Sequence, residues 1–214
     1  MERSKLIPFS TIYGAGALHE RHFDIAGPPG SPAPMSFTNP TPSDGSGAQF
    51  FHIRSLTNVR DNGRQAVMDL LNLNASLTSL NGSLTQFADV GLDVNRVMVV
   101  GVSYGGMVAT VFVTVNQLAI AREALVGLTS QLAPVKGVVA SGAGSQLWPM
   151  LVSSPTYGPV LEGALAAAGH APGASKYERF LYAGQSAMDA ADPVSFAGVL
   201  ASLGVPILAQ QIND

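Results

Sequence analysis

Residues Val97 to Gln117 read VMVVGVSYGGMVATVFVTVNQ, and no charged residue occurs between Arg96 and Arg122. A membrane helix needs about 20 apolar residues, so length alone admits a span. The middle of the stretch argues otherwise. Gly101-Val102-Ser103-Tyr104-Gly105 and Gly106 place three glycines, a serine and a tyrosine at its centre, and Asn116 and Gln117 lie inside its far end. No basic cluster flanks it to set an orientation. A glycine-rich phosphate loop also fits poorly, because no lysine follows the glycines and the spacing is not Gly-x-Gly-x-x-Gly. The reading that accounts for each part is a buried strand, a sharp turn at Ser103 and a helix from Tyr104 to about 117.

A strand, then Gly-x-Ser-x-Gly, then a helix is the arrangement that raises a serine hydroxyl above a sheet for nucleophilic attack. The serine sits at the tip of a tight turn, in a backbone conformation that costs a non-glycine residue about 1–3 kcal/mol. Gly101 and Gly105 are expected to remove Cβ atoms that would clash across the turn, and Gly106 to let the helix pack closely on the strand. The helix N-terminus directs backbone N–H groups at the oxyanion of acyl transfer. Tyr104 N–H is the expected donor.

Outward from the turn, the chain alternates strand and helix patterns. A helix is expected over 58–72, with Val59, Ala66, Val67, Leu70 and Leu71 on one face and Thr57 or Asn58 as cap. Gly63 weakens it by about 1 kcal/mol. Residues 74–92 are rich in Ser, Thr, Asn and Gly, with room for a short helical piece. The β-branched run ending at Gly101 looks like a strand buried on both faces. VKGVVAS at 135–141 is a second strand, YGPVLEGALAAAG and SKYERFLYAGQSAMD are helices, and VPILAQQI at 205–212 is a third strand. This order predicts an α/β domain with a mostly parallel sheet. Leu6–Tyr13 is a weak strand candidate, and 27–49, with six prolines and four glycines, is an irregular loop.

Composition narrows the function. Charged residues make up 12% of the 214 residues, about half the usual share. Net charge is −3 with no run of like charges, so no nucleic-acid footprint is visible. Cysteine is absent, which removes a disulfide framework and thiolate metal sites. The apolar patch at Leu6–Phe9 is shorter than the roughly 7–15 residues of a secretory core, so no signal peptide is read. No metal or cofactor is implied.

Four stretches resemble the bacterial extracellular lipases of the Pla/Cef type, which are α/β-hydrolases. LHERHFD (Leu18–Asp24) is similar to that family's LHGER segment, and SLTNVRDNGRQAVMDLLNL (Ser55–Leu73) to its LLTARDNLRQSVLDLL helix. DVNRVMVVGVSYGGMVAT matches the strand, elbow and following helix. AMDAADPVSFA (Ala187–Ala197) with VPILAQQIND resembles VLDSADPINYA and the strand after it. The resemblance implies an extracellular or cell-envelope serine ester hydrolase acting on a lipid or small ester. Ser103 would be its nucleophile, with an acyl-enzyme intermediate and no integral membrane span. Tyr104 replaces the more usual leucine of GHSLGG. Family members carry several strands and an HG loop before the LHGER point, and hydrolase triads run Ser, acid, His along the chain. No histidine follows His170. The expectation is therefore a single domain over 1–214 that is incomplete at both ends and turns over little substrate.

Asp214, at the end of the third strand, is the candidate acid. Asp192, in ADP, reads as a helix cap or turn former. His170 lies between the second and third strands, in lid territory, and His19 and His22 read as structural. Residues 142–190 form the candidate lid or cap, in which the apolar segment 147–168 suits either an acyl-binding wall or ordinary core packing. A peptidase or acyltransferase of the same fold, or a non-catalytic chain, are the alternative readings.

Overall fold

A computed structural model of the chain describes residues 23–24, 33–34, 56–83, 91–155 and 157–211. The chain divides into two compact units, Met1–Val59 and Arg60–Asp214, where the sequence reading has one domain. In the first unit, β1 (Phe23–Asp24) pairs antiparallel with β2 (Ala33–Pro34), so two residues of the expected 27–49 loop are in a strand. The rest of that loop, the strand candidate at Leu6–Tyr13, and His19, His22, His52 and Asp214 lie outside the described residues.

In the second unit the order is α1 (Leu56–Ser83, which begins just before the unit boundary), β3 (Val97–Val102), α2 (Tyr104–Leu125), β4 (Val135–Ser141), α3 (Leu147–Ser153), α4 (Gly158–Ala167), α5 (Ser175–Met188), two 3-10 turns (Asp189–Ala191 and Pro193–Ser195), α6 (Ala197–Ser202) and β5 (Ile207–Gln210). β3, β4 and β5 form one parallel sheet in that order, and helices flank it: the class is α/β. Val102 pairs with Ser141, and Ser141 with Gln210. The three strands thus end level, and the turns after β3 and β4 open at the same sheet edge, the edge where open parallel sheets place ligands.

α2 is the centre of the core. Val108, Val111, Phe112 and Val113 pack with Val135 and Val138 of the sheet and with Leu200 and Val67. Burying each such side chain contributes about 1.5–3 kcal/mol. The helix is long and apolar enough to cross a membrane, but half of that stretch is buried inside the fold. A helix covered on most sides needs apolar residues all round. Two of its buried polar side chains bond to backbone carbonyls: Thr114 Oγ1 donates to Thr110 O at 2.8 Å, and Asn116 Nδ2 to Ala133 O at 3.0 Å.

Two expectations are corrected here. α1 does not stop near 72 but runs to Ser83. Asn74 anchors the extension, its Nδ2 donating to Ala133 O at 3.1 Å and its Oδ1 accepting from Ala133 N at 2.6 Å. These contacts, made across 59 residues of sequence, override weak local propensity. β3 is not buried on both faces: Met98, Val100 and Val102 are 59%, 70% and 65% exposed. They alternate with Val97, Val99 and Gly101, which face α2 or lie nearer the core. A strand that is apolar at every position has no period of two from which the covered face could be read.

Residues 147–188 form a second small cluster. Leu147, Trp148, Leu161, Leu165 and Tyr177 are buried, and the Trp148 and Phe180 rings meet edge to face at 5.7 Å. Gly184 makes room for the indole, since a Cβ there would stand 2.7 Å from Trp148 Cδ1. These side chains do core packing, while Tyr157 and Val160 are exposed.

Candidate active site

Ser103 closes the turn between β3 and α2. Its backbone has φ 52° and ψ −127°, a region that side-chain-bearing residues rarely adopt and that costs about 1–3 kcal/mol. The surroundings hold it there. Ser103 N–H donates to Ser141 O at 2.8 Å, while Ser103 O accepts from Gly106 N at 2.9 Å and Met107 N at 3.3 Å. The serine is thus fixed on one side to the neighbouring strand and on the other to the first turn of α2. Tyr104 opens the helix, so its N–H belongs to the first-turn donors directed out of the helix end.

The glycines divide unevenly. A Cβ on Gly101 would lie 2.5 Å from the Gly105 carbonyl carbon and 2.6 Å from Gly106 N. One on Gly106 would lie 2.6 Å from Ala143 Cβ and 3.2 Å from Gly101 O. Gly105 has open space around its Cβ position, which corrects the expectation that it relieves the crowding; the clash across the turn is with its backbone.

Gly63, which looked like a simple cost to α1, is buried against the turn. A Cβ there would meet Tyr104 Oη at 2.6 Å and Ala191 Cβ at 3.2 Å. Gly63→Ala would gain about 1 kcal/mol of helix propensity but overpack the contact by about 1–3 kcal/mol. A net loss of about 1 kcal/mol is expected in urea melts, shrinking in a Tyr104→Phe background, where the nearest atom is gone.

Burial, and then the Asp192 carboxylate nearby, push the Tyr104 phenol up to about 12 from 10.0. The folded chain therefore keeps the Tyr104 proton through a range in which the unfolded chain loses it. That contribution to stability is complete below the ordinary value and is lost as pH rises to about 12. Tyr104→Phe is expected to lose less stability than the parent across that window, by up to roughly 2 kcal/mol, as measured by chemical denaturation at pH steps.

Asp192 is 1% exposed. Its Oδ1 accepts from Val194 N at 3.0 Å, the cap role read from the sequence, and also from Gln146 N at 3.0 Å. Its Oδ2 accepts from Leu147 N at 2.7 Å and Gln185 Nε2 at 3.2 Å. The carboxylate therefore ties the loop after β4 to α5 and the 3-10 turns. Leu147 and Gln146, 45 and 46 residues away in sequence, have no local signature.

His170 follows α4, its ring stacked on Phe180 at 6.2 Å, and no described hydrogen bond joins it to Ser103. Among the described residues no three acids or histidines converge on a metal position. A groove of about 460 Å³ along α2, between Val67, Val111, Val115 and Phe196, contains none of the elbow residues. No family model, curated protein or solved structure matches the chain.

Proposed function

We propose that the chain is a serine-dependent carboxylic-ester hydrolase of α/β-hydrolase type, with Ser103 as nucleophile and a lipid-like or small ester as substrate. The observation that carries the reading is the backbone of Ser103: a strained serine between a parallel strand and a helix N-terminus, with Gly101 and Gly106 at the two positions where a side chain could not fit. Strain of this kind persists where the surroundings enforce it, and it concentrates at reactive groups.

In the proposed reaction Ser103 Oγ attacks the ester carbonyl carbon. The carbonyl oxygen takes up negative charge and is met by the Tyr104 N–H and the positive end of α2. The tetrahedral species collapses, the alcohol leaves, and the acyl group stays on Ser103 until water removes it. The proton of Ser103 passes to a base that no described contact identifies. The reading takes α2 as a core helix and not a membrane span, and assigns no metal or cofactor.

The test uses p-nitrophenyl esters of graded acyl length beside peptide p-nitroanilides. The expected result is acylation by the esters, seen as a burst of about one p-nitrophenol per chain, with no anilide cleavage. Anilide or peptide cleavage at comparable rates would favour a peptidase. No acylation by any ester would contradict the proposal.

A further inference from the structure

We propose that Gln146 is a specificity-determining residue that touches the substrate at the Ser103 site; this rests on the reading of Ser103 as an acyl-transfer nucleophile. Among the described residues, Ser103 and Gln146 are the two non-glycine residues with positive φ. Gln146 has φ 57° and ψ 67°, the left-handed conformation, which costs a residue with a side chain about 1–2 kcal/mol. The buried Asp192 carboxylate holds it there, accepting the N–H of Gln146 and that of Leu147 next to it.

The loop that carries Gln146 lies against the elbow. It starts at Ser141, whose carbonyl accepts the Ser103 N–H, and its Ala143 Cβ occupies the space beside Gly106. The residues between are Gly142, Ala143, Gly144 and Ser145. Gln146 is exposed and has the one long side chain of this loop. A glycine would adopt the same backbone without strain, so the backbone gains nothing from glutamine. What glutamine adds is an amide that both donates and accepts, on an exposed position of the loop that packs against the elbow. That chemistry suits a hydroxyl on the alcohol part of the substrate, as in a monoacylglycerol.

The test compares the full chain with Gln146→Gly, Gln146→Asn and Ser103→Ala. It follows Ser103 acylation by intact mass with two probes, monobutyrylglycerol and p-nitrophenyl butyrate. Gln146→Gly is expected to slow acylation by the hydroxyl-bearing ester about tenfold, the worth of one good hydrogen bond. The p-nitrophenyl ester should change by less than about twofold. Gln146→Asn, which keeps the amide and tolerates the left-handed backbone, should recover part of the loss. Thermal melting of Gln146→Gly should be no lower than that of the parent. An equal change with both esters, no change with either, or a lowered melting temperature would overturn the proposal and make Gln146 a structural cap. Acylation that persists in Ser103→Ala would instead remove the nucleophile reading, and the proposal with it.

Discussion

Ser103→Ala is expected to lower ester acylation by about a thousandfold or more while leaving the fold in place. The hydroxyl is the group that forms the covalent bond, so nothing in the remaining site replaces it. Alanine keeps the Cβ and with it the strain of φ 52°. The melting temperature of this variant should therefore stay close to that of the parent. Ser103→Gly separates the two effects. It should be equally inactive yet more stable by about 1 kcal/mol, because glycine adopts positive φ without a steric penalty. A serine whose removal raises stability and abolishes reaction is held in place at the expense of the fold, as a reactive group at an elbow is.

Gly101→Ala should be the most damaging substitution to the fold. The new Cβ would stand 2.5 Å from the Gly105 carbonyl carbon and 2.6 Å from Gly106 N. These are backbone atoms of the first turn of α2, and no rotamer change relieves them. The strand and the helix must separate, which breaks the packing of Val108, Phe112 and Val113 on the sheet. A loss of about 3 kcal/mol or more in equilibrium unfolding is expected, or failure to fold. Gly105→Ala is the contrast. With open space at that Cβ and a helical position, alanine should be neutral or stabilising by up to about 1 kcal/mol.

What could be read from residue order is what local chemistry dictates. The strand Val135–Ser141 is a valine-rich run set between Pro134 and Gly142, and the helix Ser175–Met188 lies within its own helical stretch SKYERFLYAGQSAMD. The turn at Ser103 is written in glycine spacing, because a Cβ on Gly101 or Gly106 would crowd backbone atoms of the same turn, no more than five residues away. The rest depends on contacts distant in sequence. α1 extends past Leu73 because Asn74 bonds Ala133. The exposed face of β3 has the same valine content as its covered face. Gln146 carries no sign of positive φ, since its conformation is set by Asp192, 46 residues on. The Asp192 cap was legible from ADP; the rest of its network was not.

The most direct test of the account is covalent trapping. The chain is incubated with a fluorophosphonate, digested and mapped by peptide mass spectrometry. One phosphonyl adduct is expected, on Ser103, that forms on the folded protein and disappears when urea unfolds it first. A folded chain that leaves Ser103 unmodified, or that reacts instead at another serine, would contradict it.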